Sequence, residues 1–394
     1  MTIADYIPFI NTDYDCHAAT QLYSDAVAVR VSLESIEKTR AKLPIGPKRW
    51  VDASIDGLHH KDPSKLTDSY QLHLHKFANY QQIANPEFQK SPISDVAKQF
   101  VFSVLNYCRA EAPDWISVPQ LPIVSDSSRN KINRLFAEHT YEWKATNSYS
   151  GKLILPVIFT HQNQVNKKTE RNKKIVAISG CYSAARADGI WAVDQTLNDQ
   201  EGSGKFDERF PALRKFHEEL NEKMPQSGIM VAGPYWGMNL ILWSRGYAHF
   251  PAIGLGGSYK YNIPGQRLPK GIVRVALRPL RRWAIASPAL KGWLSDTVAS
   301  LPVGDPLKVE FAALEKDFAK LQVTPNAKLQ IATFYKNWFD KFSALPQAGR
   351  ALALYQDLSS AYVLGKTLKA LPDKREGTAR RPERVAQQLM MNCL

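Results

Sequence analysis

At 394 residues, 44% of them hydrophobic, the chain can bury the core of one large domain or of a domain with an appendage, which excludes disorder as the starting assumption. Its 51 Lys and Arg against 37 Asp and Glu give a formal charge of +14, which favours a polyanionic partner and argues against a basic one. The four cysteines, Cys16, Cys108, Cys181 and Cys393, lack C-x-x-C spacing, so neither a disulfide framework nor a cysteine zinc site is expected. With no basic n-region at the N-terminus and no stretch as long as a membrane span, a soluble, cytoplasmic protein without a membrane partner is expected.

In chain order, apolar runs that read as strands lie at 6–10, 49–56, 115–121, 153–160, 190–194, 228–232 and 250–255, and 272–277 offers an eighth. Between them apolar residues recur at three- and four-residue spacing, most clearly over 129–143 and 210–223, which predicts helices. So many alternations of strand and helix predict a parallel sheet, and their number predicts an α/β fold of the closed (β/α)8 TIM-barrel type over residues 1–304. No G-x-G-x-x-G follows the first strand and no G-x-x-x-x-G-K-[ST] occurs, which removes the main reasons for a dinucleotide or P-loop fold. After Pro306 the pattern is helical through 309–321, 327–342 and 349–371. A C-terminal helical segment is therefore expected over 305–371, followed by a basic tail over 372–394.

In a barrel of this kind the reacting groups sit at the C-terminal ends of the strands. Along 51–56, Asp52, Ser54 and Asp56 share one parity, and Val51, Ala53 and Ile55 the other. With the apolar side against the helices, both carboxylates point to the barrel mouth, which makes Asp52 and Asp56 the catalytic candidates. Paired carboxylates can divide acid and base roles because like charge raises one pKa. The structural alternative is a turn at Asp56-Gly57 and an Asp52 bonded to backbone amides.

Two further strands end in Thr160-His161-Gln162 and Asp194-Gln195, and His161, Gln162 and Asp194 carry the donors and acceptors that read the edge of a purine-like base. Gly233-Pro234-Tyr235-Trp236-Gly237 leads into a helix whose N–H groups can receive an anion, and Gly254-Leu255-Gly256-Gly257 ends a strand in a loop able to cradle a phosphate or a flat ring. Gly233, Trp236, Gly256 and Gly257 complete a base-binding set, for which tight turns are the structural alternative. His59, His60, His73 and His75 read as surface histidines. With no H-E-x-x-H and no carboxylates at ligand spacing, no metal and no cofactor are expected.

From 223 to 295 there is no Asp or Glu, yet Arg245, Lys260, Arg267, Lys270, Arg274, Arg278, Arg281 and Arg282 lie there, together with Lys291. A run with one sign of charge holds few partners within itself, so these residues are expected to present an unpaired positive field to phosphates. Trp236, Trp243, Tyr259, Tyr261, Trp283 and Trp293 add faces on which unstacked bases settle. The structural alternative places Val273, Val275 and Leu277 in a half-buried strand and most of the aromatics in the core.

The order of these elements resembles the tRNA-guanine transglycosylase superfamily, including its DNA-acting 7-deazaguanine branch. Asp52-Ala53-Ser54-Ile55-Asp56-Gly57 looks like that family's Asp-Ser-Gly-Gly segment, and Pro156-Val157-Ile158-Phe159-Thr160-His161-Gln162 like its apolar strand ending in a base-reading Gln. The stretch 228–257 is similar to its last two barrel units, and the likeness spans about half the chain, 50–257. The resemblance implies a glycosyltransferase that exchanges or recognises a base in DNA or RNA, with Asp52 or Asp56 acting at the sugar C1′ while Gln162 and Asp194 hold the base. This chain departs from the family in lacking the C-x-C-x-x-C…H zinc site and in having no aspartate in the 254–257 loop, where the family places its nucleophile. Two other readings stand beside it. One is a non-catalytic nucleic-acid-binding subunit of a DNA-processing or defence complex, with other protein subunits as partners; the other is a barrel glycoside or phosphoester hydrolase.

Overall fold

Parallel strands covered on both faces need apolar side chains of both parities, and short runs of Val, Ile and Trp supply them here. The computed structural model describes residues 5–60, 66–124, 126–161, 163–197, 204–224, 228–255, 261–265, 272–372 and 379–393. In it β1 (Ile7–Ile10), β2 (Ala28–Ser32), β3 (Lys48–Asp52), β4 (Trp115–Ser117), β5 (Lys152–Phe159), β6 (Gly189–Asp194), β7 (Ile229–Ala232) and β8 (Phe250–Gly254) pair in chain order and close into a barrel. The fold is the expected (β/α)8 barrel with C-terminal helices.

One strand differs from the expectation. The barrel includes β2, whose apolar pattern is interrupted by Arg30, whereas the run 272–277 gives β9 (Arg274–Leu277), which pairs antiparallel with β10 (Arg282–Ile285) outside the barrel. The turn Arg278–Leu280, closed by Arg281 at φ 51°, joins these two strands. So short a connection permits only an antiparallel hairpin, because a parallel crossover needs a dozen or more residues.

Side-chain parity divides the barrel wall. Val29, Val31, Val51, Ala53, Leu155 and Val157 join the outer core beneath the helices, while Phe9, Trp50, Trp115, Ile158, Trp191 and Val231 fill the interior. The helices bury their predicted faces. In Lys131–Thr146, for example, Ile132, Phe136, Ala137, Thr140 and Trp143 are buried, following the 3.6-residue period. No helix among the described residues is long and apolar enough to cross a membrane.

The eighth barrel helix arrives late. Helix Thr324–Ser343 lies against Asp13–Leu22 on one side, with the Tyr23 hydroxyl donating to the Ala332 carbonyl at 2.8 Å. On the other side Phe339 packs on Trp243, with ring centroids 4.6 Å apart. It thus fills the place of the helix that should follow β8. From β9 up to this helix the chain builds a side module in which Val275, Leu277, Leu280, Leu290, Trp293, Leu294, Phe311 and Phe318 form a separate small core. Within the stretch read as a basic tail, Arg384–Met390 is a helix whose Val385, Ala386 and Leu389 are buried in the main core, because its apolar residues recur at helical spacing.

Candidate active site at the barrel mouth

Register assembles the site. Phe9 pairs with Arg30 and Arg30 with Trp50, while Ser32 pairs with Asp52, so these side chains enter the barrel in adjoining layers. Arg30 is fully buried and ion-paired to Asp52 through Nη2. Its Nη1 donates to Asn11 Oδ1 at 2.7 Å, and its guanidinium lies over Phe9 and Trp191 at 4.9 and 5.0 Å from the ring centroids. The Nε of Arg30 has no partner among the described residues, which leaves one strong donor aimed inside the barrel.

Strand β3 ends at Asp52. Ser54 then turns with φ 54°, and Asp56 opens a short 3₁₀ turn, Asp56–His59. The alternation expected over 51–56 therefore does not persist as a strand, yet both carboxylates still reach the mouth. Tyr70 fixes the turn by accepting from Gly57 N at 2.9 Å and donating to the Ser54 carbonyl. Ser54 Oγ in turn donates to Asp52 Oδ2 at 3.2 Å and lies 2.6 Å from Ser32 Oγ.

Tyr261 closes the network from above. Its hydroxyl donates to Asp56 Oδ2 at 3.0 Å, accepts from Arg30 Nη2 at 3.4 Å, and its ring meets Trp191 edge-on at 5.4 Å. Tyr261 and Ile263 pack with the interior cluster, and Asp52 and Asp56 are each only 3% exposed. Burial, followed by repulsion from Asp52, pushes the Asp56 carboxyl from 3.8 up to about 7, although Arg30 and the Tyr261 hydroxyl pull the other way. The two carboxylates thus differ in kind: Asp52 is half of an ion pair, and Asp56 holds its proton up to near neutrality.

Other expected site residues lie elsewhere. Asp194 has the outward parity of β6 and is ion-paired to Arg209, with Oδ1 accepting from Thr196 N and Oγ1 at 2.7 Å each. It therefore has no free edge for a base. His161 lies half-buried in the loop after β5, where its N–H and that of Thr160 donate to Gln164 Oε1 at 3.0 and 3.1 Å. Gly233 is at the mouth end of β7, its carbonyl taking the Trp191 Nε1 proton at 2.7 Å. Trp236 is core: it stacks on Phe334 with centroids 5.6 Å apart and donates to the Arg281 carbonyl at 2.9 Å. Gly237 N meets Tyr335 Oη at 2.9 Å, and Leu389 lies 2.5 Å from where a Cβ on Gly237 would stand, so this helix start is covered by protein and closed to anions. His73, expected at the surface, is buried against the Ala53 carbonyl at 2.9 Å, and burial lowers its pKa to about 4. Gln162, Gly256, Gly257, Lys260, Arg267 and Lys270 lie outside the described residues.

The basic run is also corrected in part. Arg281 makes a bidentate pair with Asp357 at 2.7 and 2.8 Å, and Asp357 also takes the Trp338 Nε1 proton at 3.1 Å and pairs with Lys341. Arg282 is buried and donates to the Arg381 carbonyl at 2.8 Å, Arg245 donates to the Cys393 carbonyl at 2.8 Å, and Arg274 lies over Trp283 at 4.7 Å. Asp357, Arg381 and Cys393 all lie C-terminal to the acid-free stretch, which is why the run itself did not reveal them, whereas Trp283 lies within it. Arg278 remains exposed.

The sequence matches no protein-family model and no curated protein. No group of three or more His, Cys, Asp or Glu that could hold a metal occurs among the described residues. Sequence reasoning missed Arg30 and Asn11 as site members and read Tyr261 as a stacking face for bases, with no hint of its bond to Asp56. Arg30 had a visible signal, a charged residue inside the run Ala28-Val29-Arg30-Val31-Ser32, since a buried charge needs a partner.

Proposed function

We propose that the protein is a barrel enzyme acting on the glycosidic bond of a base in DNA or RNA, with Asp52 and Asp56 as the reacting carboxylates. The observation that carries this reading is their unequal environment, an ion-paired Asp52 beside an Asp56 that stays protonated up to about 7. In this mechanism the C1′–N bond breaks as Asp56 gives its proton to the departing base. The Asp52 carboxylate adds to C1′ or balances its positive charge. An incoming base or water then attacks C1′, returns a proton to Asp56 and releases Asp52. Trp191, which the Tyr261 ring covers edge-on, supplies an aromatic wall once that ring moves, and the exposed Lys167 and Lys168, which follow β5 at the mouth, with Arg278, supply charge for a phosphate backbone. Substrate reaches the carboxylates only when the Tyr261 phenol gives way.

The test incubates wild type, Asp52→Asn and Asp56→Asn with labelled base and with duplex DNA, single-stranded DNA and tRNA. Incorporation or release should fall by orders of magnitude in each variant, while binding persists and weakens steeply with salt. Activity that survives both changes would refute the mechanism. The burial of both carboxylates, with Tyr261 bonded to Asp56, favours a second reading, a binding subunit without catalysis, and wild-type binding with no base exchange or release on any substrate would select it.

A further inference from the structure

The outer wall of the barrel carries a cleft that belongs to no part of the mouth. Over β5, the segment 120–130, the first turn of helix Lys131–Thr146 and helix Lys168–Ala185 frame a cavity of about 260 Å³. Leu121, Ile123, Leu155, Val157 and Ile178 make its floor, the two β5 residues facing outward by their parity. Lys174 stands at the rim, half-buried and in no ion pair among the described residues, because Glu170, which also lines the cleft, bonds Lys173 at 3.0 Å instead. Burial lowers the pKa of its amine, and the nearby Glu170 carboxylate offsets this only in part.

Each feature restricts the ligand. An apolar floor rewards a hydrocarbon or aromatic body, and a lone cation at the rim rewards one negative charge next to it. A neutral ligand would leave Lys174 unpaired, and for a polyanion the other cation lining the cleft, Lys173, is already paired with Glu170. A cavity of about 150 Å³ accommodates benzene, so this one suits a body of about ten non-hydrogen atoms. We propose that the cleft between these two helices binds a small amphipathic monocarboxylate, its apolar body on Leu155, Val157 and Ile178 and its carboxylate on Lys174.

Cys181 lines the same cleft and is the one cysteine of the four that is not buried, so its alkylation reports on the site without reference to any activity. Burial raises its thiol to about 11, which calls for labelling with N-ethylmaleimide at mildly alkaline pH. Decanoate and 2-naphthoate are titrated into the full chain by calorimetry, with decanol and 2-naphthol as uncharged controls. One site per chain is expected, with slower labelling of Cys181 when it is filled. Lys174→Met should weaken the acids by about tenfold or more, the scale of a lost charged hydrogen bond. Ala177→Trp, at an exposed position on the rim, should fill the cleft and abolish binding while the fold, followed by circular dichroism, stays intact. No heat and no change in labelling at millimolar acid would overturn the proposal, as would equal affinity for acid and alcohol or for wild type and Lys174→Met.

Discussion

Replacing Asp56 with Asn should stabilise the protein at pH 8 and remove much of the pH dependence of its stability between about pH 4 and 7. The wild-type carboxyl is raised in the folded state from 3.8 to about 7. Between those values the native state holds a proton that the unfolded chain has released, so this group's contribution is most favourable below 3.8 and is lost as pH rises through about 7. At roughly 1.4 kcal/mol per pH unit the full loss is roughly 4 kcal/mol, an upper limit because Asp56 and Asp52 share the Arg30 charge. Asn is the neutral analogue of the protonated acid and can still accept from the Tyr261 hydroxyl, so the variant avoids the ionisation without losing that contact. Urea unfolding of both proteins at pH 5 and pH 8 measures the difference. The gap in favour of Asp56→Asn should widen by some kcal/mol at the higher pH. Parallel pH curves would refute the placement of Asp56 as a buried acid beside Asp52.

Arg30→Met should cost about 3–5 kcal/mol by stranding the Asp52 carboxylate inside the barrel, and Arg30→Met with Asp52→Asn should recover part of the loss; equal stability of the single and double variants in urea would exclude the pair as a structural element. Asp357→Ala should lower stability by about 2 kcal/mol, since Arg281, Lys341 and Trp338 all lose their acceptor, and should leave nucleic-acid affinity little changed. Arg278→Ala should leave the urea midpoint in place while lowering the slope of log affinity against log salt by about one; a slope unmoved by this change would remove Arg278 from the phosphate contacts.

The pattern Val51-Asp52-Ala53-Ser54-Ile55-Asp56 marked the right segment: strand parity placed Asp52, while Val51, Ala53 and Ile55 joined the outer core, and the turn at Ser54, which the alternation did not show, placed Asp56. The repeated strand and helix pattern sufficed for the barrel for a local reason: each period declares which face it buries. What the sequence could not disclose is pairing across distance. Arg30 looked like an interruption until the register of β2 set it beside Asp52, and 272–277 looked like a barrel strand until its hairpin partner appeared. Arg281 looked unopposed because its acceptor, Asp357, lies beyond the acid-free stretch, and Trp236 looked like a loop aromatic until the late eighth helix covered it. Local sequence determined the barrel and the parity of Asp52, since side-chain period is a property of neighbouring residues. The tertiary structure alone decided which charges are neutralised, which glycines are covered and which carboxyl keeps its proton, since burial and Coulomb energy depend on whichever distant groups the fold brings within a few ångströms.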